Sequence, residues 1–295
     1  MHFIAPLRGQ VNSEVFARPP LRDWMEFQSL LRGVDWPSVA TIDRLREEVQ
    51  NSTRYTLPHF AEQTSALLRD GLHYESRIAE RGVVATRANN WHDLLNALIW
   101  LRYPMLKSAL NARQVAEIAR IGAKRRTRAQ CALTHFDEAG IVACLRDPVL
   151  LALWDAHDWH GLFWRERAAW TDGRIAVEVF GHALLEHALK PGQLLVGKAL
   201  VVCDSAADGG AVERVARAVR AGDALNDPQE LRPLPLSGIP GWHPDNAHER
   251  FYFEAPCFCP IREGRRYPRP LQSNTGVARS ATYTPLLPLA GEGRG

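Results

Sequence analysis

Two segments of the chain are apolar on nearly every side of the helix that they predict, yet each carries one line of polar residues, here called a polar stripe. The first segment, NNWHDLLNALIWLRY, covers residues 89–103. A helix turns by about 100° per residue, so His92 and Asn96 share one narrow stripe while leucines cover the opposite side. Asn90 is predicted to cap this helix, and Asp93 suits the positive end of its dipole. The stripe needs hydrogen-bond partners or a ligand, because unpaired polar groups are costly to bury.

The second predicted helix, RIAVEVFGHALLEHALK, covers residues 174–190. Helical spacing places Glu178, His182 and Glu186 on one face, again with apolar residues on the other sides. Buried glutamates are unusual without a partner. Two carboxylates beside an imidazole can bind a divalent metal or perform acid–base chemistry. A stripe that is salt-bridged to some of the many arginines is the structural alternative.

Short alternating segments predict β-structure between the helices. We expect hairpins near residues 73–87 and 131–145, each with a turn in its middle. In the second hairpin, strand alternation places Leu133, His135 and Asp137 on one face. With the longer helical segments, these hairpins predict an α+β fold, a helix-dominated single domain with short β-hairpins.

The domain organisation follows from composition along the 295-residue chain. Residues 1–54 are predicted to form an N-terminal segment packed on the body, 55–265 the main α+β domain and 266–295 a loose C-terminal tail. A net charge of +3 does not by itself demand a nucleic-acid or membrane partner. No apolar run approaches the roughly 20 residues of a membrane span, which predicts no membrane association.

The expected compartment is the cytoplasm. Five cysteines at irregular spacings do not form a disulfide framework, and we expect them to be reduced thiols. The first residues lack the cationic and apolar regions of a signal peptide.

The two polar stripes predict an enzyme, a metal-assisted hydrolase with a polar cleft between two buried helices; its small-molecule substrate is not predicted. The expected metal ligands are imidazole and carboxylate side chains: His92, His182, Glu186 and Asp137. The expected catalytic residues are the remaining polar residues of both stripes: Glu178, Asp93 and Asn96. Glu178 would be the general base. Mixed nitrogen and oxygen ligands suit zinc, manganese or iron better than calcium.

Two other functions remain open. A basic run of Lys124, Arg125, Arg126 and Arg128 could bind a nucleic acid or another anionic ligand, although such runs are usually solvated faces. Alternatively, both stripes could be internal hydrogen-bond networks of a structural protein. An open pocket beside the stripes favours the enzyme, a contiguous basic surface favours the anion-binding protein, and sealed stripes favour the structural protein.

Several separated blocks also resemble a known family. They are ERGVVATRANNWHDLLNALIWLRYPMLKSALNARQ, LTHFDEAGIVA, EVFGHALLEHAL, GKAL and GIPGWHPDN. In this order they resemble the bacterial domain-of-unknown-function family numbered 3025, over about residues 55–265. The family is uncharacterised. The resemblance therefore implies a single bacterial domain of about this length, and it assigns no catalytic residue.

Overall fold

The fold is described from a computed structural model that covers residues 3–53, 55–122, 125–203 and 210–272. It confirms a helix-dominated α+β single domain. The helices are α1 (Gln28–Arg32), α2 (Val39–Ser52), α3 (Tyr74–Arg81), α4 (Trp91–Arg102), α5 (Pro104–Ile121), α6 (Arg128–Ala139), α7 (Pro148–Asp155), α8 (His182–His187), α9 (Ala211–Ala221) and α10 (Phe251–Glu254). The strands are β1 (His59–Glu62), β2 (Val83–Thr86), β3 (Gly140–Leu145), β4 (Ile175–Val179), β5 (Val196–Cys203), β6 (Arg232–Pro235) and β7 (Leu271–Gln272).

The strands form two sheets. In the larger sheet the order is β4-β3-β5-β6, and β7 also pairs with β5. Strand β3 runs parallel to β5 and antiparallel to β4. Five of the six residues of β3 are buried, as expected for a strand covered on both faces. The smaller sheet pairs β1 with β2 in parallel, and α3 connects them.

Helix α4 lies at the centre of the apolar core. Eight of its twelve residues are buried, which explains why its sequence is apolar on nearly every side. Trp24 and Phe27 from the N-terminal part of the chain belong to the same core cluster. Arg102, at the end of α4, lies over the Trp24 ring at 4.7 Å from its centroid. No helix among the described residues is both long and apolar enough to cross a membrane.

The Asn90 cap of α4 agrees with the sequence prediction, and a proline and a glycine mark the two ends of α5. The Asn90 side chain accepts a hydrogen bond from the backbone N–H of Asp93 at 3.0 Å, which caps α4. Pro104 occupies the first turn of α5, where its missing N–H leaves no helical bond unmade. Gly122 follows the last residue of α5.

Both predicted hairpins are wrong. Residues 74–81 form α3, which ends at Gly82 in the left-handed conformation, and only 83–86 form a strand. Residues 128–139 form α6, and β3 follows without a turn between two strands. The Thr127 and Gln130 side chains form a capping box, which fixes the start of α6.

The long helix predicted for residues 174–190 is also wrong. Residues 175–179 form β4, and a helix begins only at His182. Isoleucine and valine at alternate positions favour an extended chain, because their branched side chains are restricted in a helix. Gly181 separates the two elements. Glu178 therefore does not share a helix face with His182 and Glu186.

Gly181 holds the start of α8 against the end of α6. Both Phe180 and Gly181 donate their backbone N–H to the Gly140 carbonyl at 2.9 Å. A Cβ atom on Gly181 would lie 2.4 Å from the Ala139 Cα. The backbone conformation of Gly181, with φ −66° and ψ 113°, is open to any residue, so only the lack of space requires glycine.

We expect Gly181→Ala to lower the free energy of unfolding by about 1–3 kcal/mol, because the backbone around Ala139 must move to admit the methyl group. Urea denaturation measures the change. Gly9→Ala is the matched control, since no atom lies within 4 Å of a Cβ built there. Equal stability of the two variants would contradict the close contact.

Candidate metal centre

Two imidazoles and one carboxylate converge from three helices. His92 lies in the first turn of α4, Glu138 near the end of α6 and His182 at the start of α8. The Nε2 atoms of the two histidines are 3.0 Å apart, and Glu138 Oε2 lies 3.6 Å from His182 Nε2. One ligand atom of each residue lies within 4.8 Å of the others. Atoms that bind one tetrahedral zinc ion are about 3.3 Å apart, so this spacing suits a single ion.

Local packing brings the three residues together. Helix α8 packs against both α4 and α6. The close contact of Gly181 with Ala139 places His182 beside Glu138, the residue directly before Ala139. His182 is 3% exposed, whereas His92 and Glu138 are partly exposed. The candidate metal centre, defined as His92, Glu138 and His182, is therefore buried on one side and open on the other.

Glu186 lies behind His92. It follows His182 by one helical turn on α8, and its Oε2 lies 3.1 Å from His92 Nδ1. This hydrogen bond raises the pKa of His92, and burial opposes the shift. An ionised Glu186 requires the proton on Nδ1, so in the neutral ring Nε2 carries the free lone pair. The carboxylate–histidine pair is the arrangement that commonly orients a histidine ligand in metal sites.

The other two residues differ in their electrostatics. Burial lowers the pKa of His182 to about 3, although the Asp137 carboxylate opposes the shift. His182 is therefore a neutral ring at ordinary pH, the form that can bind a metal. Burial raises the pKa of Glu138, and the neighbouring His92 opposes that shift.

The candidate metal centre lies on the wall of a polar cavity of about 340 Å³. Lys107 is 4% exposed in this cavity. Its Nζ donates hydrogen bonds to Asp137 Oδ1 at 2.6 Å and to Asn96 Oδ1 at 2.8 Å. Burial raises the pKa of Asp137, but the Lys107 ammonium and the nearby histidines together outweigh it, and the net shift is downward. Asp137 is therefore ionised and paired.

A second group of hydrogen bonds continues along the cavity wall. Asn96 Nδ2 donates to the Tyr74 hydroxyl at 3.0 Å, and Asn111 Nδ2 donates to Glu75 Oε2 at 2.6 Å. Burial raises the pKa of Tyr74 and of Glu75. Both shifts favour the uncharged forms, so the deep wall of the cavity is polar with little free charge.

The structure brings some of the sequence-predicted site residues together. His92 and His182 face each other, and Asn96 and Asp93 line the same cavity. Asp93 is ion-paired with Arg87, whose Nη2 lies 2.7 Å from the Asp93 Oδ1. Asp137 lines the cavity as the partner of Lys107 rather than at the convergence point.

Two predicted residues lie elsewhere than expected. Glu186 contacts the far ring nitrogen of His92 rather than the point where the Nε2 atoms meet. Glu178 is on β4, and its Oε2 accepts a hydrogen bond from the Tyr103 hydroxyl at 2.7 Å. It is not among the residues that line the cavity. Its predicted role as general base therefore has no geometric basis.

Glu138 was not among the metal ligands predicted from the sequence. The hairpin predicted near residues 131–145 directed attention to Asp137, on the face shared with Leu133 and His135, and left Glu138 in the turn. The capping-box pair Thr127 and Gln130 was the available signal for a helix in this region.

The basic run divides into separate parts. Lys124 lies outside the described residues. Arg125 and Arg126 line the same cavity as the candidate metal centre. Arg128 instead donates to Asp227 Oδ1 at 2.8 Å.

Fold and site together define an α+β protein in which three helices present two histidines and a glutamate to a polar cavity that is open to solvent on one side. The chain belongs to the family described as protein of unknown function (DUF3025), whose model matches residues 58–262. The match includes every residue of the candidate metal centre and confirms the resemblance seen in the sequence. No similar protein of curated function and no similar solved structure was found.

Proposed function

We propose that this protein is a metal-dependent hydrolase that binds one divalent ion through His92, His182 and Glu138. The observation that carries the proposal is the convergence of two Nε2 atoms and a carboxylate oxygen on a cavity wall. Glu186 supports it, because its carboxylate orients the His92 ring as in known metal sites.

The ligand set indicates the kind of metal. Two imidazole nitrogens and one carboxylate oxygen suit zinc, manganese or iron. Three protein ligands are the usual number in catalytic zinc sites, which keep one position for water or substrate. An ion bound here would supply Lewis-acid chemistry and lower the pKa of a water molecule.

Two cavity residues have roles that follow from their contacts. The Lys107 ammonium is held by Asp137 and Asn96, so its charge is fixed in place. A fixed cation in a buried site stabilises negative charge that develops on a substrate. Asp137 is ionised, and it would accept the proton that the attacking water loses. In this proposal it replaces Glu178 as the base.

We also keep the cytoplasm as the proposed location. An odd number of cysteines at irregular spacings suits a compartment that keeps thiols reduced. All five cysteines lie in the described part of the chain, and no disulfide bond joins any two of them.

Metal binding tests the proposed function. The purified wild-type chain is analysed for zinc, manganese and iron, then stripped with a chelator and titrated with each ion in a calorimeter. We expect one ion per chain. At 100 times the dissociation constant, the ion should stabilise the fold by about 2.7 kcal/mol, seen as a higher melting temperature.

A chain that binds no metal would contradict the proposed function. The contact between the two Nε2 atoms is also a hydrogen bond, in which one ring donates to the other. If the chain purifies without metal and no ion raises its melting temperature, the three side chains form a structural network and the hydrolase proposal fails.

A further inference from the structure

Arg125 and Arg126 face the cavity that contains the candidate metal centre. Both side chains are exposed. Within the described ranges, neither guanidinium has an ion pair or a side-chain hydrogen bond. Two members of the basic run therefore line the same cavity as the candidate metal centre, although the sequence presented the two features as alternative functional sites.

Among the described residues, the other two arginine or lysine side chains on the cavity wall are ion-paired. Each carboxylate on its wall has a partner side chain. The pairs are Asp93 with Arg87, Asp137 with Lys107, Glu75 with Asn111 and Glu138 with His182. The cations Arg87 and Lys107 are neutralised in these pairs. Arg125 and Arg126 are therefore the guanidinium groups of the cavity wall that have no carboxylate partner among the described residues, and a bound metal ion would add positive charge beside them.

From these two unpaired guanidinium groups we infer that the substrate is a small organic anion, whose phosphate or carboxylate group binds Arg125 and Arg126. The inference rests on the proposed function, since the reactive bond of the substrate would lie at the candidate metal centre. Guanidinium groups match the oxygens of phosphate and carboxylate with paired hydrogen bonds. A cavity of about 340 Å³ has the size of a small-molecule site.

The test compares two double variants that remove the same charge. Arg125→Ser with Arg126→Ser removes both cavity arginines. Arg217→Ser with Arg220→Ser removes two exposed arginines of α9 that do not line the cavity. Phenyl phosphate and benzoate are the probes, because they share one aromatic ring and differ in the anionic group. Binding is measured by calorimetry with zinc-loaded and zinc-free protein, and zinc content is measured in every sample.

We expect the cavity double variant to lose affinity for one or both probes by about 10-fold or more, because two charge-assisted hydrogen-bonding groups are removed. The probe with the larger loss identifies the anionic group. The α9 double variant should bind as the wild type does. Zinc content should be the same in all three proteins.

Two results would overturn the inference without contradicting the candidate metal centre. One is wild-type protein that binds zinc but neither probe, and the other is equal probe affinity in the two double variants. Failure of the hydrolase proposal gives a different result, because wild-type protein would then bind no zinc. The zinc-free samples still report on the two arginines in that case. A loss of probe affinity there, specific to the cavity double variant, supports the anion site.

Discussion

Replacing His182 by alanine is expected to weaken zinc binding by about 100-fold or more. Zinc sites with four protein ligands bind with about 10–16 kcal/mol, so one ligand contributes on the order of 3 kcal/mol. His182 is neutral and 3% exposed, and its Nε2 lies 3.0 Å from that of His92. Competition with a chelating dye measures the dissociation constant.

Several variants make this result specific. His135→Ala is the matched control, because His135 is an exposed histidine on α6, three residues before Glu138. It should bind zinc as the wild type does. Glu186→Gln should lose about 10-fold, the usual effect of a residue that orients a ligand. If His182→Ala unfolds, the partly exposed His92 provides a second variant, His92→Ala. Wild-type affinity in folded His182→Ala or His92→Ala protein would refute the ligand assignment.

The sequence predicted helix α4 correctly because this segment has one dominant pattern. Its residues are apolar at helical spacing on nearly every side, with a cap at Asn90 and a proline after Tyr103. The apolar period, the N-cap at Asn90 and the proline after Tyr103 therefore all predict the same helix. This prediction placed His92 in the first turn of α4. What the sequence could not give was the partner of His92, since contacts between residues 90 positions apart depend on packing.

The helix predicted for residues 174–190 was wrong because this segment fits both the helical period and the two-residue period of a strand. Ile175 and Val179 are four residues apart, which suits a helix face, yet alternation in the same segment also suits a strand. Pairing with a neighbouring strand favours the extended conformation over the helix, since β4 forms the edge of the larger sheet beside β3. The local preference of five residues is too weak to predict that outcome. Glu178 was assigned to the site on the helical interpretation alone.

Replacing Lys107 by methionine is expected to lower the free energy of unfolding by about 3 kcal/mol, because Asp137 loses its partner while remaining inside the protein. The Lys107 ammonium donates to Asp137 at 2.6 Å and to Asn96 at 2.8 Å, and it lies 5.4 Å from the centroid of the Trp100 ring. We place the loss at the lower end for a broken buried pair, since Asp137 retains 25% exposure. Urea denaturation of metal-free protein measures it.

The control is a pair of the same kind on the surface. Arg120 donates to Glu117 at 2.7 Å, but its side chain is 62% exposed. Arg120→Met should therefore change stability by less than about 1 kcal/mol. Adding Asp137→Leu to Lys107→Met should recover most of the loss, because replacing both members of a buried pair removes the unpaired charge. If Lys107→Met is no more destabilising than Arg120→Met, the ammonium is not the partner that keeps Asp137 ionised, and Asp137 is no longer the base of the proposed reaction.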